Sequence, residues 1–599
     1  MKRSQRTFSS SGDLGVSARP DTDQVAVAEA AERRQALEDR WKIWQPRTIP
    51  QLIDTVADEH PDRPYVLTDE RAYSYADIAA WSVRLAAGLA SQGIGPGDHV
   101  AVDLANFPET VALKYAVGRL GATTVSINFL LRQEELGYVL RQSRAKLLIT
   151  MDTFRDLDYL AALDGLAPGW ESGDFTGLPD LTGVFVHPTG ARAAGRGRSL
   201  DALVESGGHI SNTEVLARTG AVDPHSVSDL LYTSGTTGAA KGAMLTHDGV
   251  LRTAYASAYT RAMDDGYRIG FAMPIYHVFG YVEATMSVPW VGGAICPKPT
   301  FDAADLLGAV GRHQLAELMA VPAMTAPMLD EARSGSYDLG SLTTMFSSGA
   351  AHRPGMFAEM KEVLGVSRLF TAYGQTETTA STTCVQPGDS VDTLQTTLGC
   401  HKPAGIAGDP ALGGVLARYK VVGPQGEELP PGEIGALIVR GPIVTRGYFD
   451  KPAETAELID AEGWLHTGDL GSFDEYGYIR LTGRKKESYR CGGELVLPSE
   501  VEEVLSGFPG VAAVHVVGIP HDRMGEVGCA WIVPADPGQV PEPEALIAHC
   551  KERLARFKVP AAVLFTAAGD IPMTVTGRVK KFELVARAVR ELSGRRSPS

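Results

Sequence analysis

From Pro46 to about residue 480, amphipathic helical segments alternate with short β-rich runs, and this alternation constrains the fold more than any other feature. Residues 75–93, YADIAAWSVRLAAGLASQG, have helical spacing, whereas residues 99–104, 123–128 and 146–150 are short and β-rich. Elements that alternate in this way stack as α/β layers. We expect only the segment 165–226, rich in Gly, Ala and Arg, to be an irregular excursion.

The domain organisation follows from the length of the chain and from a change in the order of predicted strands and helices. A chain of 599 residues exceeds what one hydrophobic core supports. Beyond the charged stretch 484–487, strands and helices are segregated in an α+β pattern. We therefore predict an N-terminal tail or helix (1–45), with packing beginning near Pro46, a large domain of layered α/β subdomains (46–484), and a small mobile α+β C-terminal domain (485–599).

Charge and cysteine usage exclude several classes of protein. A formal net charge of -16 argues against a nucleic-acid partner or an anionic membrane surface. The six cysteines form no C-x-x-C pair and no zinc-type cluster, which indicates a reduced compartment without a structural metal. The basic N-terminus is not followed by an apolar signal region, and no apolar run reaches about 18 residues. We expect a cytoplasmic protein without an integral membrane segment.

The segment Leu230 to His247, LLYTSGTTGAAKGAMLTH, is the strongest local signal for chemistry. Hydroxyls, backbone N–H groups and the Lys241 ammonium could converge there on phosphate oxygens. It is not a Walker loop, because Ala240 stands where the second glycine is needed and Gly242 follows the lysine. Composition alone leaves an ordinary Gly/Thr-rich turn equally open.

The full string resembles the phosphate loop of the adenylate-forming superfamily, which includes acyl- and aryl-CoA synthetases, luciferases and peptide-synthetase adenylation domains. The resemblance recurs in order from about Pro46 to Lys581, and its acyl-CoA ligase branch fits best. The further matching segments are SSGAAHRPG (347–355), TAYGQTET (371–378), GYFDKPAETAE (447–457), GWLHTGDLGSFDEYGYIRLTGRKKE (463–487) and GGELVLPSEVE (492–502).

The resemblance implies a site for ATP, or for the AMP moiety of an acyl-adenylate. Tyr373 would stack on adenine, Thr376 would contact the α-phosphate, and Glu377 would hold Mg²⁺, which prefers carboxylate oxygen. Asp469 would accept the ribose hydroxyls, with Arg484 near the ribose and phosphate. The remaining implied nucleotide residues are Thr233, Ser234, Gly235, Thr236, Thr237 and Lys241 in the phosphate loop, and Gly349, Ala350 and Ala351 in the adenine turn.

Members of the family run two half-reactions in one site: a carboxylate and ATP give an acyl-adenylate, and a thiol then displaces AMP. The resemblance implies that the small domain rotates between them about Lys486. In the second orientation the segment Cys491, Gly492, Gly493 and Glu494 would face the site. The two glycines would let the pantetheine arm of CoA pass close to the backbone. Cys491 is better explained as a packing residue than as a nucleophile.

The acyl pocket is implied by the segment 271–286, FAMPIYHVFGYVEATM. His277 falls where amino-acid-activating members carry an aspartate, so an α-ammonium group would be left unpaired. We therefore expect a carboxylic acid without an amine, although His277 could also be an ordinary structural histidine. Its neighbours Val278, Phe279, Tyr281 and Met324, with small residues at Gly349, Ala350 and Ala380, predict a hydrophobic pocket. Little sequence follows Lys581, so we expect free CoA or a separate carrier as the acceptor.

Three positions depart from the family pattern. Ala240 replaces a proline before Lys241, and the segment 401–422 is longer than usual. The third is Arg578, in the string PMTVTGRVKK, where members carry a catalytic lysine that bridges the carboxylate and the α-phosphate during adenylation. Arginine keeps the charge on a longer, planar group. Misplacing such a group by about 1 Å can cost on the order of 10²-fold in rate.

The sequence leaves three functions open. The first is an enzyme that makes acyl-CoA from a preformed acyl-adenylate, with its own adenylation slow or lost and another enzyme supplying the adenylate. The second is a complete two-step ligase in which Arg578, Lys580 or Lys581 substitutes for the usual lysine. The third is a non-catalytic protein that binds acyl-adenylates or ATP.

Overall fold

The helices and strands follow one another along the chain in the predicted α/β pattern. The computed structural model describes residues 19–190, 195–233, 240–574 and 579–594. Within those ranges the α-helices are α1 (Gln24–Trp41), α2 (Ile49–Glu59), α3 (Tyr75–Ser91), α4 (Pro108–Arg119), α5 (Gln133–Gln142), α6 (Tyr159–Leu166), α7 (Leu200–Ser206), α8 (Asn212–Gly220), α9 (His247–Thr260), α10 (Ala303–His313), α11 (Pro322–Ser334), α12 (Met356–Leu364), α13 (Val391–Thr396), α14 (Pro452–Leu458), α15 (Pro498–Ser506), α16 (Pro543–Arg553) and α17 (Lys581–Gly594).

The β-strands are short in the first part of the chain and longer towards its end. They are β1 (Pro64–Leu67), β2 (Ala72–Ser74), β3 (His99–Asp103), β4 (Thr123–Ser126), β5 (Leu147–Met151), β6 (Thr153–Phe154), β7 (Leu157–Asp158), β8 (Gly183–His187), β9 (Arg198–Ser199), β10 (Val227–Thr233), β11 (Lys241–Thr246), β12 (Arg268–Phe271), β13 (Ala294–Pro297), β14 (Glu317–Ala320), β15 (Thr344–Ser347), β16 (Arg368–Phe370), β17 (Ala372–Gln375), β18 (Ala380–Cys384), β19 (Cys400–His401), β20 (Arg418–Val422), β21 (Gly435–Arg440), β22 (Leu465–Phe473), β23 (Ile479–Arg484), β24 (Tyr489–Cys491), β25 (Glu494–Val496), β26 (Val511–His521), β27 (Gly525–Pro534) and β28 (Ala562–Phe565).

Helix α2 shows how the sequence produces these elements. Its N-terminus is closed by a capping box in which the Thr48 hydroxyl accepts from the backbone N–H of Gln51 and the Gln51 side chain accepts from Thr48. Leu52, Ile53 and Val56 are fully buried. Their spacing of three to four residues places them on one face, which packs into the core.

Two seven-stranded sheets form the larger part of the molecule. Their strand orders are β16-β15-β14-β12-β13-β1-β2 and β11-β10-β4-β3-β5-β8-β9. Each sheet is parallel except for one antiparallel pair at its edge, β1 with β2 and β10 with β11. Strands such as β5 are buried along their whole length, as expected of parallel strands covered by helices on both faces.

Three smaller sheets follow in the chain. Strands β17, β18 and β19 form an antiparallel sheet, and β20 to β23 form a four-stranded antiparallel one. In the C-terminal part, β24 to β28 form a five-stranded sheet that packs with α15, α16 and α17 around its own core. The predicted fold class, a large α/β N-terminal domain and a smaller α+β C-terminal domain, is confirmed.

The N-terminal segment packs earlier than expected. Packing was predicted to begin near Pro46, but α1 buries Ala30 and Leu37 against the rest of the protein. The Arg34 guanidinium donates to the carbonyl oxygens of Tyr259 and Thr260, both at 2.9 Å. This helix carries mixed charge, and its partners lie more than 200 residues away in sequence, so its composition alone did not reveal the docking.

Two further segments differ from expectation. The stretch 165–226 was predicted to be irregular, but it contains β8, β9, α7 and α8, and β8 is a buried strand of the second sheet. The longer segment 401–422 contains two short 3₁₀ turns and lies against α1. Gly405 approaches that helix so closely that a Cβ atom there would be 2.8 Å from the Glu38 carboxylate.

Candidate functional site

A tight hairpin turn between β17 and β18 presents Thr376 and Glu377. Thr379 and Ala380 adopt left-handed φ angles of 55° and 93°, which side chains other than glycine rarely take. The Thr378 hydroxyl holds the turn by donating to the carbonyl oxygens of Gln375 and Ala380, at 3.0 and 3.1 Å. Strain of this kind persists where surrounding contacts fix it, which is common at functional sites.

Tyr373, Asp469 and Arg484 lie together, as the sequence predicts. The Tyr373 hydroxyl donates to Asp469 Oδ2 at 2.5 Å, and Arg484 Nε lies 2.8 Å from Oδ1. Asp469 and Arg484 face each other across the β22–β23 ladder. Burial, reinforced by the Asp469 carboxylate, raises the pKa of Tyr373 well above its usual value. The phenol therefore keeps its proton and donates to Asp469.

Glu377 has a partner that the sequence analysis missed. The Tyr448 hydroxyl donates to Glu377 Oε1 at 2.7 Å, and Lys241 Nζ lies 5.1 Å from the centre of the Tyr448 ring. Tyr448 thus links the predicted metal ligand to the predicted phosphate ligand. Its position in the matching segment GYFDKPAETAE is the signal that could have identified it.

The buried Glu377 carboxylate also fits the implied magnesium ion. No group of three or more His, Cys, Asp or Glu side chains able to hold a metal occurs in the part of the chain that the structure describes. Mg²⁺ is usually bound by one or two carboxylates, with phosphates and water completing its shell. A single buried carboxylate near the predicted phosphate loop is therefore a suitable donor set.

The phosphate loop is described only at its two ends. Thr233 and Lys241 pair directly across the β10–β11 ladder. The Thr233 hydroxyl donates to the Lys241 carbonyl at 3.4 Å. Ser234, Gly235, Thr236 and Thr237 lie outside the described residues.

The predicted adenine turn follows β15. Gly349 has a φ of 94°, and a Cβ atom there would lie 3.4 Å from Val321. The preceding Ser348 hydroxyl donates to the Ala372 carbonyl at 2.6 Å, which fixes this turn against the strand that carries Tyr373. Ala350 is half-buried and Ala351 is exposed.

His277 is held as a neutral imidazole at the start of the predicted acyl segment. Burial lowers its pKa to about 4. Its Nδ1 accepts from the Phe279 backbone N–H at 3.2 Å, so the ring proton sits on Nε2. Phe279 packs edge-on against Phe346 with ring centres 5.0 Å apart, while Val278 is buried. Met324 is half-buried next to the core.

Tyr281, also predicted for the acyl pocket, belongs to a buried polar network. Its hydroxyl donates to Asp229 Oδ2 at 3.1 Å, and Lys114 Nζ lies 3.9 Å from the centre of its ring. Lys114 in turn pairs with Asp229 Oδ1 at 2.5 Å. The Tyr281 hydroxyl is thus committed to Asp229.

The segment predicted to face CoA forms the turn between β24 and β25. Gly492 and Gly493 have φ angles of 62° and 92°, and a Cβ atom on Gly492 would lie 2.7 Å from Met524. Cys491 is buried, whereas Glu494 is exposed. The Cys491 side chain therefore packs inward, in agreement with a structural role. Lys486 is exposed.

Two lysines close in sequence to Arg578 are held by carboxylates. Lys581 Nζ lies 2.6 Å from Glu502 and 3.8 Å from Glu487, and Lys580 Nζ lies 3.1 Å from Glu583. All three acceptors belong to the C-terminal part of the chain. Arg578 itself lies outside the described residues.

Two general features bear on the earlier exclusions. All six cysteines are buried free thiols. Among the described helices, none combines the length and the apolar character needed to cross a membrane.

Comparisons with known proteins give a consistent result along most of the chain. Residues 53–449 match the family described as AMP-binding enzyme, and residues 500–578 match the AMP-binding enzyme C-terminal domain. The chain is 33% identical over 562 residues to the putative acyl-CoA synthetase YngI of Bacillus subtilis (strain 168), covering 90% of this chain and 97% of that relative.

A second relative and a solved structure show the same similarity. A 3-[(3aS,4S,7aS)-7a-methyl-1,5-dioxo-octahydro-1H-inden-4-yl]propanoyl:CoA ligase of Rhodococcus jostii (strain RHA1) is 34% identical over 540 residues, covering 90% of this chain and 98% of the relative. The crystal structure of ATP-bound MatB from Rhodopseudomonas palustris superposes with a TM-score of 0.76 at 27% identity, covering 90% of this chain and 98% of that one.

Proposed function

Because this chain belongs to the AMP-binding enzyme family, whose acyl-CoA ligases it resembles throughout, we propose that it forms acyl-CoA from hydrophobic acyl-adenylates while its own adenylation step is slow or lost. The protein is an acid–thiol ligase of the AMP-forming type. The proposal concerns which of the two half-reactions this member performs well.

The observation that carries the proposal is Arg578, which stands where the family pattern places the adenylation lysine. A guanidinium on a longer, planar side chain holds its charge at a different distance from the backbone than an ammonium does. Adenylation requires that charge between the attacking carboxylate and the α-phosphate. Thioester formation begins after this contact has served its purpose, so the substitution penalises only the first half-reaction.

The ion pairs of the neighbouring lysines support this argument. If Lys581 replaced the missing ammonium, it would have to leave Glu502 and Glu487, and the side chain is only 15% exposed. The Lys580 side chain is more exposed, at 37%. Its Nζ lies 3.1 Å from the carboxylate of Glu583, three residues further along the chain. Breaking a partly buried pair leaves a carboxylate uncompensated. These contacts weigh against substitution by Lys581, while the exposed pair of Lys580 is weak and opposes substitution only slightly.

The described residues supply what an acyl-adenylate needs. We assign Asp469 to the ribose hydroxyls, Tyr373 to the adenine ring and Thr376 to the α-phosphate. Arg484 would balance the phosphate charge. In the proposed reaction the CoA sulfur bonds to the acyl carbon, the carbon–oxygen bond to phosphate breaks, AMP leaves with that oxygen, and the thiol proton passes to solvent. Gly492 and Gly493 would admit the pantetheine arm.

The acyl group is proposed to be hydrophobic and to lack an amine. His277 is uncharged and carries its proton on Nε2, so it offers a hydrogen-bond donor and no counter-charge for an ammonium. Phe279 and Phe346 provide apolar surface beside it. The Rhodococcus relative is named for a fused-ring propanoyl group without an amine.

The remaining parts of the proposal concern cofactor, location and partners. Glu377 would hold Mg²⁺ when ATP is bound, and the ion would neutralise charge on the phosphate oxygens. We place the protein in the cytoplasm. A separate adenylating enzyme would supply the acyl-adenylate, and free CoA would accept the acyl group.

The experiment is to give purified protein a panel of synthetic acyl-adenylates with CoA and to measure both thioester and AMP. Thioester and AMP in equal amounts, for at least one hydrophobic acyl group, support an enzyme that performs the second half-reaction. Failure to form either product with any acyl group, while AMP still binds, would leave the non-catalytic binder. A complete two-step ligase is distinguished by pyrophosphate release from ATP.

A further inference from the structure

Two buried polar networks converge on a single turn of π-helix, Phe279–Thr285, which begins two residues after His277. On one side, Tyr281 bonds Asp229 of β10, the strand that ends at Thr233. On the other side, Glu283 bonds Ser381 of β18, the strand that follows the Thr376–Glu377 turn. One short element therefore connects the predicted acyl wall to both nucleotide-binding segments. π-Helical turns are frequent at functional sites.

The Glu283 carboxylate is fully buried, and both its oxygens have partners. Oε1 accepts from the Ser381 backbone N–H at 3.0 Å and from the Ser381 hydroxyl at 2.5 Å. Lys402 Nζ lies 3.1 Å from both oxygens, and the Ser257 hydroxyl donates to Oε2. Burial raises the pKa of Glu283, but Lys402 and Arg261, together with the hydrogen bonds from Ser257 and Ser381, more than offset it, so the net shift is downwards.

The bond to the Ser381 N–H fixes the nucleotide turn from one end. Ser381 follows directly after Ala380, the residue with a φ of 93°. A backbone amide next to a strained residue is held in place only if it has a firm acceptor, and a charged acceptor is stronger than a neutral one. The acceptor here belongs to the helix that starts at Phe279, beside His277.

We infer that Glu283 is a positioning residue, which transmits the placement of the acyl group to the turn that carries Thr376 and Glu377. The inference rests on the proposed function, because it assumes that an acyl-adenylate spans these two segments. It also gives a role to the buried Glu283–Lys402 pair, since apolar residues of similar size are often as stabilising as a buried ion pair.

Two matched double variants isolate the bond to Ser381. Glu283→Gln/Lys402→Met removes both charges but keeps one side-chain oxygen for the Ser381 N–H. Glu283→Leu/Lys402→Met removes both charges and that oxygen. Because neither variant leaves an unpaired buried charge, both are expected to fold, which thermal unfolding checks.

The readout is binding, so it is independent of catalysis. The probes are AMP and a series of acylsulfamoyl adenosines with acyl groups from acetyl to decanoyl and simple aryl groups, measured by isothermal titration calorimetry. For each protein, the gain in affinity from adding the best acyl group to the nucleotide is the quantity compared. A purely structural role would change melting temperature or AMP affinity and leave this gain unaltered.

We expect the acyl gain of the Leu/Met variant to be at least about tenfold smaller than that of wild type, which is the scale of a lost hydrogen bond to a charged group. The Gln/Met variant should retain most of it and bind AMP within about threefold of wild type, whereas the Leu/Met variant, which loosens the turn that carries Thr376, should lose less AMP affinity than acyl gain. An unchanged acyl gain in the Leu/Met variant, or an equal loss of AMP binding, would overturn the inference. If no acyl group improved on AMP in wild type, the proposed function would itself fail, and this inference with it.

Discussion

The Tyr373 phenol donates a 2.5 Å hydrogen bond to the Asp469 carboxylate, which is only 4% exposed. Arg484 occupies the other carboxylate oxygen, so Asp469 is ordered before any nucleotide arrives. Each carboxylate oxygen still has an acceptor site for a ribose hydroxyl.

This arrangement predicts a graded loss of AMP affinity. Asp469→Ala should weaken AMP binding by roughly 10- to 100-fold, because it removes two bonds to a charged acceptor. Tyr373→Phe keeps the ring that we propose stacks on adenine and should cost less than about tenfold. Calorimetric titration with AMP measures both. An Asp469→Ala protein that binds AMP as tightly as wild type would remove Asp469 from the site.

Substitution of Glu377 should affect the two half-reactions to different extents. Glu377→Gln removes the negative charge that suits Mg²⁺, while an amide oxygen can still accept from Tyr448. We expect Mg²⁺-dependent ATP binding to fall by about tenfold or more, on the scale of a lost charged contact. Thioester formation from acyl-adenylate should change by less than about threefold, far below that scale. Equal losses in both assays would mean that Glu377 serves both half-reactions.

The docking of helix α1 can be tested by comparing the stability effects of substitutions at two adjacent arginines, Arg34 and Arg33. Arg34 donates to two backbone carbonyls and to Gln386, whereas Arg33 forms an ion pair with Asp264, whose side chain is 50% exposed. Arg34→Met should lower the free energy of unfolding by on the order of 2 kcal/mol, because partly buried carbonyl groups lose their charged donor. Arg33→Met should cost less than about 1 kcal/mol. Urea unfolding measures the free energy of unfolding of both variants. Equal small losses in the two variants would show that the Arg34 contacts do not hold α1 firmly in place.

Asp103 predicts a specific dependence of stability on pH. Its carboxyl is buried, Thr150 donates to Oδ2 at 3.0 Å, and Oδ1 has no hydrogen-bond partner among the described residues. Burial raises the pKa of Asp103 from 3.8 to about 7. Between pH 4 and 7 the folded state therefore holds a proton that the unfolded state has released. The contribution of Asp103 to the free energy of unfolding is thus most favourable below pH 4 and is lost as the pH rises to 7.

Asp103→Asn should abolish that dependence. Relative to wild type, the variant should gain on the order of 1 to 4 kcal/mol in free energy of unfolding between pH 4 and 7, with no further gain above that range. Urea unfolding of both proteins at pH 5, 7 and 8 gives the comparison. A difference that stays constant from pH 5 to 8 would contradict the raised pKa.

The sequence predicted the parts of the site that lie in continuous motifs. Tyr373, Asp469 and Arg484 each lie in such a motif. Asp469 and Arg484 meet because β22 and β23 pair at those residues, and the Tyr373 hydroxyl reaches Asp469 from β17. The contact between Tyr448 and Glu377 joins residues 71 positions apart and depends on tertiary packing. Motif spacing carries no information about such a pair.

The same reason explains the differences in the fold. Helix α1 has a polar composition and docks through the few buried groups around Arg34. It therefore lacks the apolar stripe from which its docking could have been predicted. The sequence analysis assigned no role to Glu283, whose partners Ser381 and Lys402 lie 98 and 119 residues further along the chain. The resemblance of segment 271–286 places Tyr281 in the acyl pocket, but a local resemblance does not reveal the buried Asp229 that accepts from its hydroxyl.

The central claim is that Arg578 suppresses adenylation and spares thioester formation. It is tested by measuring pyrophosphate release from ATP and Mg²⁺ with an acid whose synthetic adenylate the wild-type protein converts to thioester. Wild type, Arg578→Lys and Arg578→Ala are compared, and thioester formation by each is the positive control. We predict release at least about tenfold faster for Arg578→Lys than for wild type, towards the order of 10² that misplacement by about 1 Å can cost. Wild-type pyrophosphate release as fast as thioester formation, with no gain in Arg578→Lys, would contradict the account.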